Sequence, residues 1–139
     1  MSEMSANRKK PMIRVLSKKE VKELSVEAEA NGLTLSDLAA TCEKFDVAPQ
    51  DVLNELAVAV AEGYLEGSLI YDFCDGVMNG IIGAIVEVGM TDDLPQPAFS
   101  LYQAFDQGEW IRSNDPLETV PSEKYTKPLV LEIMRALRG

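Results

Sequence analysis

The side chains that could do chemistry in this chain are carboxylates, and their spacing singles out four of them. Asp72 and Asp75 stand three residues apart in a helical pattern, and Asp106 and Glu109 repeat that spacing around Gly108. Side chains at i and i+3 share one face of a helix. Two such pairs could move protons, hold a hard cation such as Mg2+ or Ca2+, or face the basic side chains of a partner. The alternating acids of an EF-hand loop are missing, and so is the Glu-x-x-His pair of a di-iron bundle. The plain reading of these acids is a solvated face, and the sequence predicts no metal ligand set and no cofactor.

Nucleophilic catalysis is poorly supplied. The chain has no histidine, which rules out Ser-His-Asp and Cys-His arrangements. Gly76-x-x-x-Gly80 lacks the Gly-Lys-Ser/Thr ending of a phosphate-binding loop. Cys42 and Cys74 are far apart, form no CxxC motif and read as small buried hydrophobes of a reducing compartment. The expectation is therefore that the protein is not an enzyme.

One further segment stands out, Tyr102-Gln-Ala-Phe-Asp-Gln-Gly-Glu-Trp110. Trp110 is the sole tryptophan, placed just past a helix stop and close to Arg112, Asn114 and Asp115. It reads either as a cover for the core or as an aromatic anchor in a rim of acids, the composition that interfaces favour at their energetic centres. Asp72, Asp75, Asp106, Glu109, Trp110, Arg112 and Asp115 are the candidate partner-binding residues.

Charge narrows the class of partner. The net charge of −10 is polarised: residues 1–19 carry +5 and the remaining residues −15. From Glu23 to Ile111 there are 17 acids and one base, Lys44. Such a field repels phosphates and anionic membranes and attracts basic protein surfaces. Residues 34–60 have the element order of a helix-turn-helix, but the would-be recognition helix offers Gln50, Asp51, Asn54 and Glu55, with no Arg or Lys to reach DNA. A helical hairpin used for packing is the better account. The expected partner is a protein with a basic surface, with no nucleic acid and no membrane.

The elements that position these residues follow from capping signals and a 3.6-residue period. Ser17-x-x-Glu20 and Thr34-x-x-Asp37 have capping-box spacing, Gly32 stops the first helix, and Pro49 opens a third. Leu35, Leu38, Ala39, Cys42 and Phe45 form one face of the second helix. Gly63 is expected to fray the third. Ser68 is expected to cap a fourth helix reaching about Val88, with Gly76, Gly80 and Gly83 letting another helix come close. Pro97 starts a short helix through Gln107, and Thr126 caps the last, Lys127–Arg138. The stretch 109–125 reads as a long irregular segment.

The longest apolar run, Gly80–Val86, is well short of the ~20 residues that span a bilayer. The apolar residues behind Arg8, Lys9 and Lys10 are too few for a signal peptide, so the expected location is cytoplasmic. The sequence thus predicts an all-α fold, an irregular bundle of about six helices around a central glycine-containing helix at about 68–88. A disordered basic tail, 1–12, precedes a single helical domain, 13–139. The functional expectation is a small acidic binding or regulatory protein that neutralises a basic partner in the manner of immunity or inhibitor proteins, a likeness of charge and size. A carboxylate-based metal or small-ligand domain and a homodimer built on the fourth helix are the alternatives.

Overall fold

Capping chemistry sets where the helices begin in the computed structural model, which describes residues 14–138. The basic tail expected over residues 1–12 lies outside the described residues. Helix α1, Lys18–Asn31, starts where Ser17 Oγ accepts the Glu20 N–H at 3.1 Å. The expected capping box is only half made. The Glu20 carboxylate accepts instead from Thr41 Oγ1 at 2.9 Å and lies 3.8 Å from Lys44 Nζ, tying α1 to the next helix. That helix, α2 (Leu35–Phe45), has both halves of its box: the Thr34 N–H donates to Asp37 at 2.8 Å, and the Asp37 N–H donates to Thr34 Oγ1 at 3.2 Å.

Helix α3, Pro49–Glu66, begins at the predicted proline and runs past Gly63 to Gly67, whose φ of 83° ends it in the left-handed region. Helix α4, Tyr71–Gly89, starts three residues later than expected. Ser68 closes α3 instead of capping α4, because both its N–H and its Oγ donate to the Gly63 carbonyl. Helix α5 covers Ala98–Asp106. The last helix, α6 (Lys127–Arg138), is not capped by Thr126. A π-helical turn, Ser122–Thr126, runs straight into it, and buried Thr126 reaches across to donate its Oγ1 proton to the Ala104 carbonyl at 2.7 Å.

The architecture of the described residues is an all-α bundle of six helices. Helix α3 packs against all five others, and α4 lies against α1, α3 and α5, so the glycine-containing helix shares the centre with α3. Phe105, Leu38, Leu53, Leu56, Met78, Ile81, Ile85 and Leu101 are fully buried between them, each contributing roughly 1.5–3 kcal/mol of transfer free energy.

Of the α4 glycines, Gly80 is the one that close helix packing requires. A Cβ there would lie 2.0 Å from the Ala28 carbonyl oxygen, and the Gly80 carbonyl accepts the Leu33 N–H at 2.9 Å. Gly83 faces open space. The close approach predicted from these small residues is therefore spent within the chain, on α1.

The helix-turn-helix geometry is also absorbed by packing. Glu55 is buried and accepts the N–H groups of Val15 and Leu16 at 2.9 and 3.0 Å, while Asn54 accepts the Ala98 N–H at 3.0 Å. These two residues, expected on an exposed face of α3, hold its neighbours in place. No helix among the described residues is long and apolar enough to cross a membrane.

Candidate functional site

The four carboxylates come together because the chain leaving α5 is pressed against α4. Tyr71 Oη donates to the Phe105 carbonyl at 2.5 Å, and Tyr64, Tyr71 and Phe105 pack as an aromatic cluster with ring centroids 5.2–6.3 Å apart. Gly108 then passes between Tyr71 and the π-helical turn. A Cβ at this position would meet Thr126 Oγ1 at 2.5 Å, the Ser122 Cα at 2.8 Å and Tyr71 Oη at 3.0 Å. Two of these neighbours are held by their own hydrogen bonds, so only glycine fits.

Glu109, the next residue, is thereby delivered to the acidic face of α4. Asn79 Nδ2 donates to Glu109 Oε2 at 2.9 Å and to Asp75 Oδ2 at 3.4 Å, bridging the two acids. A shallow cleft of about 570 Å3 opens here, lined by Tyr71, Asp72, Asp75, Asn79, Glu109 and Ser122. Asp106 stands at the end of α5, close enough to act on both Asp75 and Glu109.

This concentration of negative charge alters the acids themselves. Burial raises Asp75 to about 8, helped by its contact with the Glu109 carboxyl and by the charges of Glu109, Asp106 and Asp72. Asp106 is raised too, by burial and then by Glu109. As an ionised carboxylate Asp75 would leave one buried oxygen, Oδ1, with no hydrogen-bond partner, which normally costs free energy; the proton it keeps lets it donate to Glu109 instead.

Among the described residues the ion pairs join Arg14 to Glu62, Lys44 to Glu20, Lys124 to Asp115 and Lys127 to Glu123. None reaches Asp72, Asp75, Asp106 or Glu109. Nor, among the described residues, are three Cys, Asp or Glu side chains arranged to hold a metal ion. Among the described residues the cleft is an anionic site with no paired cation, where Asp75 keeps a proton that a cationic group brought from outside could displace.

Trp110, Arg112 and Asp115 form a second cluster directly downstream. The Arg112 guanidinium is sandwiched between two rings, its Cζ 3.6 Å from the centroid of Trp110 and 3.5 Å from that of Tyr125. It also donates to the Trp110 carbonyl at 3.1 Å and to Gln107 Oε1 at 3.0 Å. Asp115 accepts from Lys124 Nζ at 2.7 Å and Tyr125 Oη at 2.6 Å, and these bonds hold it below the usual carboxylate range. Trp110 therefore lies outside the core. It is 51% exposed, with Ile111, Leu117 and Val120 exposed in the same loop.

The seven predicted residues thus fall into two adjoining groups, four in or beside the cleft and three in the loop beside it. Tyr71 and Asn79 belong to the cleft as well, and their i−4 and i+4 spacing from Asp75 is the sequence signal that places them on its face. Tyr125 and Lys124 had no such signal. They meet Arg112 and Asp115 only because the π-helical turn folds back on the loop.

Compared with protein-family models, curated proteins and solved structures, the chain matches none.

Proposed function

We propose that the protein is an acidic binding module that takes a basic side chain of a partner protein into the cleft formed by Asp72, Asp75 and Glu109. A single observation carries this reading: carboxylates are gathered in one cleft with no cation paired to them among the described residues. A guanidinium or ammonium group would supply the missing positive charge in place of the proton Asp75 keeps, and charge-assisted bonds of this kind are the strong ones. The half-exposed Trp110–Arg112 stack would lie beside such a group, as an aromatic flank to a polar centre.

The surrounding field supports the same reading. An acidic body steers a basic surface inward and repels nucleic acid. Inhibition or neutralisation of the partner, in the manner of immunity proteins, is the regulatory form this binding would take.

Capture from a native lysate on the immobilised protein tests the proposal, run beside an Asp72→Asn/Asp75→Asn/Glu109→Gln variant. A basic protein retained by the wild type at low salt, lost at moderate salt and lost with the variant is the expected result. Retention indifferent to salt and to these substitutions would refute it, as would the absence of any retained basic protein.

A further inference from the structure

A second concave surface shares no residue with the carboxylate cleft. Between α1, α3 and the start of α4 lies a groove of about 710 Å3, within the ~300–1,000 Å3 of small-molecule sites. Leu16, Val21, Val26, Val60, Leu69 and Phe73 give it apolar walls, and Val26 is 50% exposed along it.

The charges at its rim are unlike those of the rest of the body. Its two carboxylates are already engaged, Glu62 by the Arg14 guanidinium and Glu55 by two backbone N–H groups. Lys18 and Lys22 are exposed and form no ion pair among the described residues. Lys18 occupies the first turn of α1, where the helix dipole already concentrates positive charge and acids are normally favoured. Lys22 follows at i+4, a like-charge spacing that disfavours an isolated helix by a few tenths of a kcal/mol. An anion bound at both ammonium groups would relieve the two penalties together. Lys18, Lys22 and Val26 therefore run along one face of α1 from cationic to apolar.

We propose that this groove binds a long-chain fatty acid, its carboxylate held at Lys18 and Lys22 and its alkyl chain laid along Val21, Val60 and Phe73. Charge complementarity sets the head group, and the apolar walls set the tail. This site is independent of the cleft, so the two proposals stand or fall separately.

The test is titration of the full chain with hexadecanoate, followed by displacement of a fluorescent fatty-acid analogue. Saturable one-to-one binding is expected. The Lys18→Glu/Lys22→Glu variant should weaken it roughly tenfold or more, as loss of charge-assisted hydrogen bonds implies, and hexadecanol should bind wild type correspondingly worse than hexadecanoate. Both lysines are exposed, and acids suit the first turn of α1, so the variant should keep its circular dichroism and melt no lower than the wild type. Ala59→Trp, which places a ring in the groove, should abolish binding. The proposal is overturned if hexadecanoate shows no saturable binding, or if the charge-reversed variant and hexadecanol bind as tightly as the native pair. It is equally overturned if the groove proves to be covered by a second copy, seen as a dimer by light scattering that excludes the fatty acid, or if it takes an acidic amphipathic peptide and not hexadecanoate.

Discussion

Replacing Asp75 by Asn should change the pH dependence of stability, and the structure sets both sign and size. In the folded protein the Asp75 carboxyl is raised from 3.8 to about 8, by burial first and by Glu109, Asp106 and Asp72 after it. Between those two values the folded state holds a proton that the unfolded state has released, so stability falls as pH rises through the window. Below about 4 the group costs nothing, and above about 8 the whole penalty is present. Taken in full, the displacement corresponds to roughly 5–6 kcal/mol. The side chain is only half-buried, and solvent screening reduces this to roughly 1–2 kcal/mol.

Asn reproduces the protonated carboxyl in shape, can still accept from Asn79, and cannot ionise. Asp75→Asn should therefore match the wild type near pH 4 and exceed it by that amount at pH 8 and above. For a chain of this size that is about 2–8 °C in melting temperature. Urea titrations of both proteins at intervals from pH 4 to 9 measure the difference, in which other titrating groups largely cancel. A difference that stays flat across the range, or one that favours the wild type as pH rises, would show that the cleft does not hold Asp75 in its neutral form.

Three further outcomes follow from particular contacts. Gly80→Ala should destabilise by about 1–3 kcal/mol through overpacking against the Ala28 carbonyl, whereas Gly83→Ala, facing open space, should stabilise by up to ~1 kcal/mol; chemical denaturation of the pair checks for opposite signs. Thr126→Val keeps the volume but removes the buried bond to Ala104, so a loss of about 1–3 kcal/mol is expected; an unchanged urea midpoint would count against the contact. Arg112→Met removes the cation between Trp110 and Tyr125, and it should change the tryptophan emission and raise its quenching by acrylamide; identical quenching would mean the stack is not populated in solution.

Much of the fold was legible in the chain because helix starts and stops are local events. The Thr34–Asp37 box, Pro49 at the first turn of α3 and the Gly32 stop depend on residues within four positions of one another, and each forms as its spacing predicts. The expectations that failed involve side chains with a rival partner elsewhere. Glu20 goes to Thr41, Ser68 to Gly63 and Thr126 to Ala104, because a distant or preceding group offered a better-placed acceptor or donor than the local cap. The relation of α3 to α4 was hidden for a similar reason: periodicity shows that a helix has an apolar face, not which neighbours will cover it.

The site divides along the same line. Sequence by itself determined that the chain is acidic, helical, without histidine and carries two carboxylate pairs at i, i+3 spacing, since composition and local period need no tertiary information. Only the tertiary structure decided that the pairs meet. Gly108 must slip between Tyr71 and the π-helical turn before Glu109 can reach Asp75, and that approach, between segments more than 30 residues apart, is fixed by packing around Phe105. The electrostatic character of the cleft was equally beyond the sequence, because a carboxyl is raised by burial and by the distance to other charges, and both are set by the folded geometry.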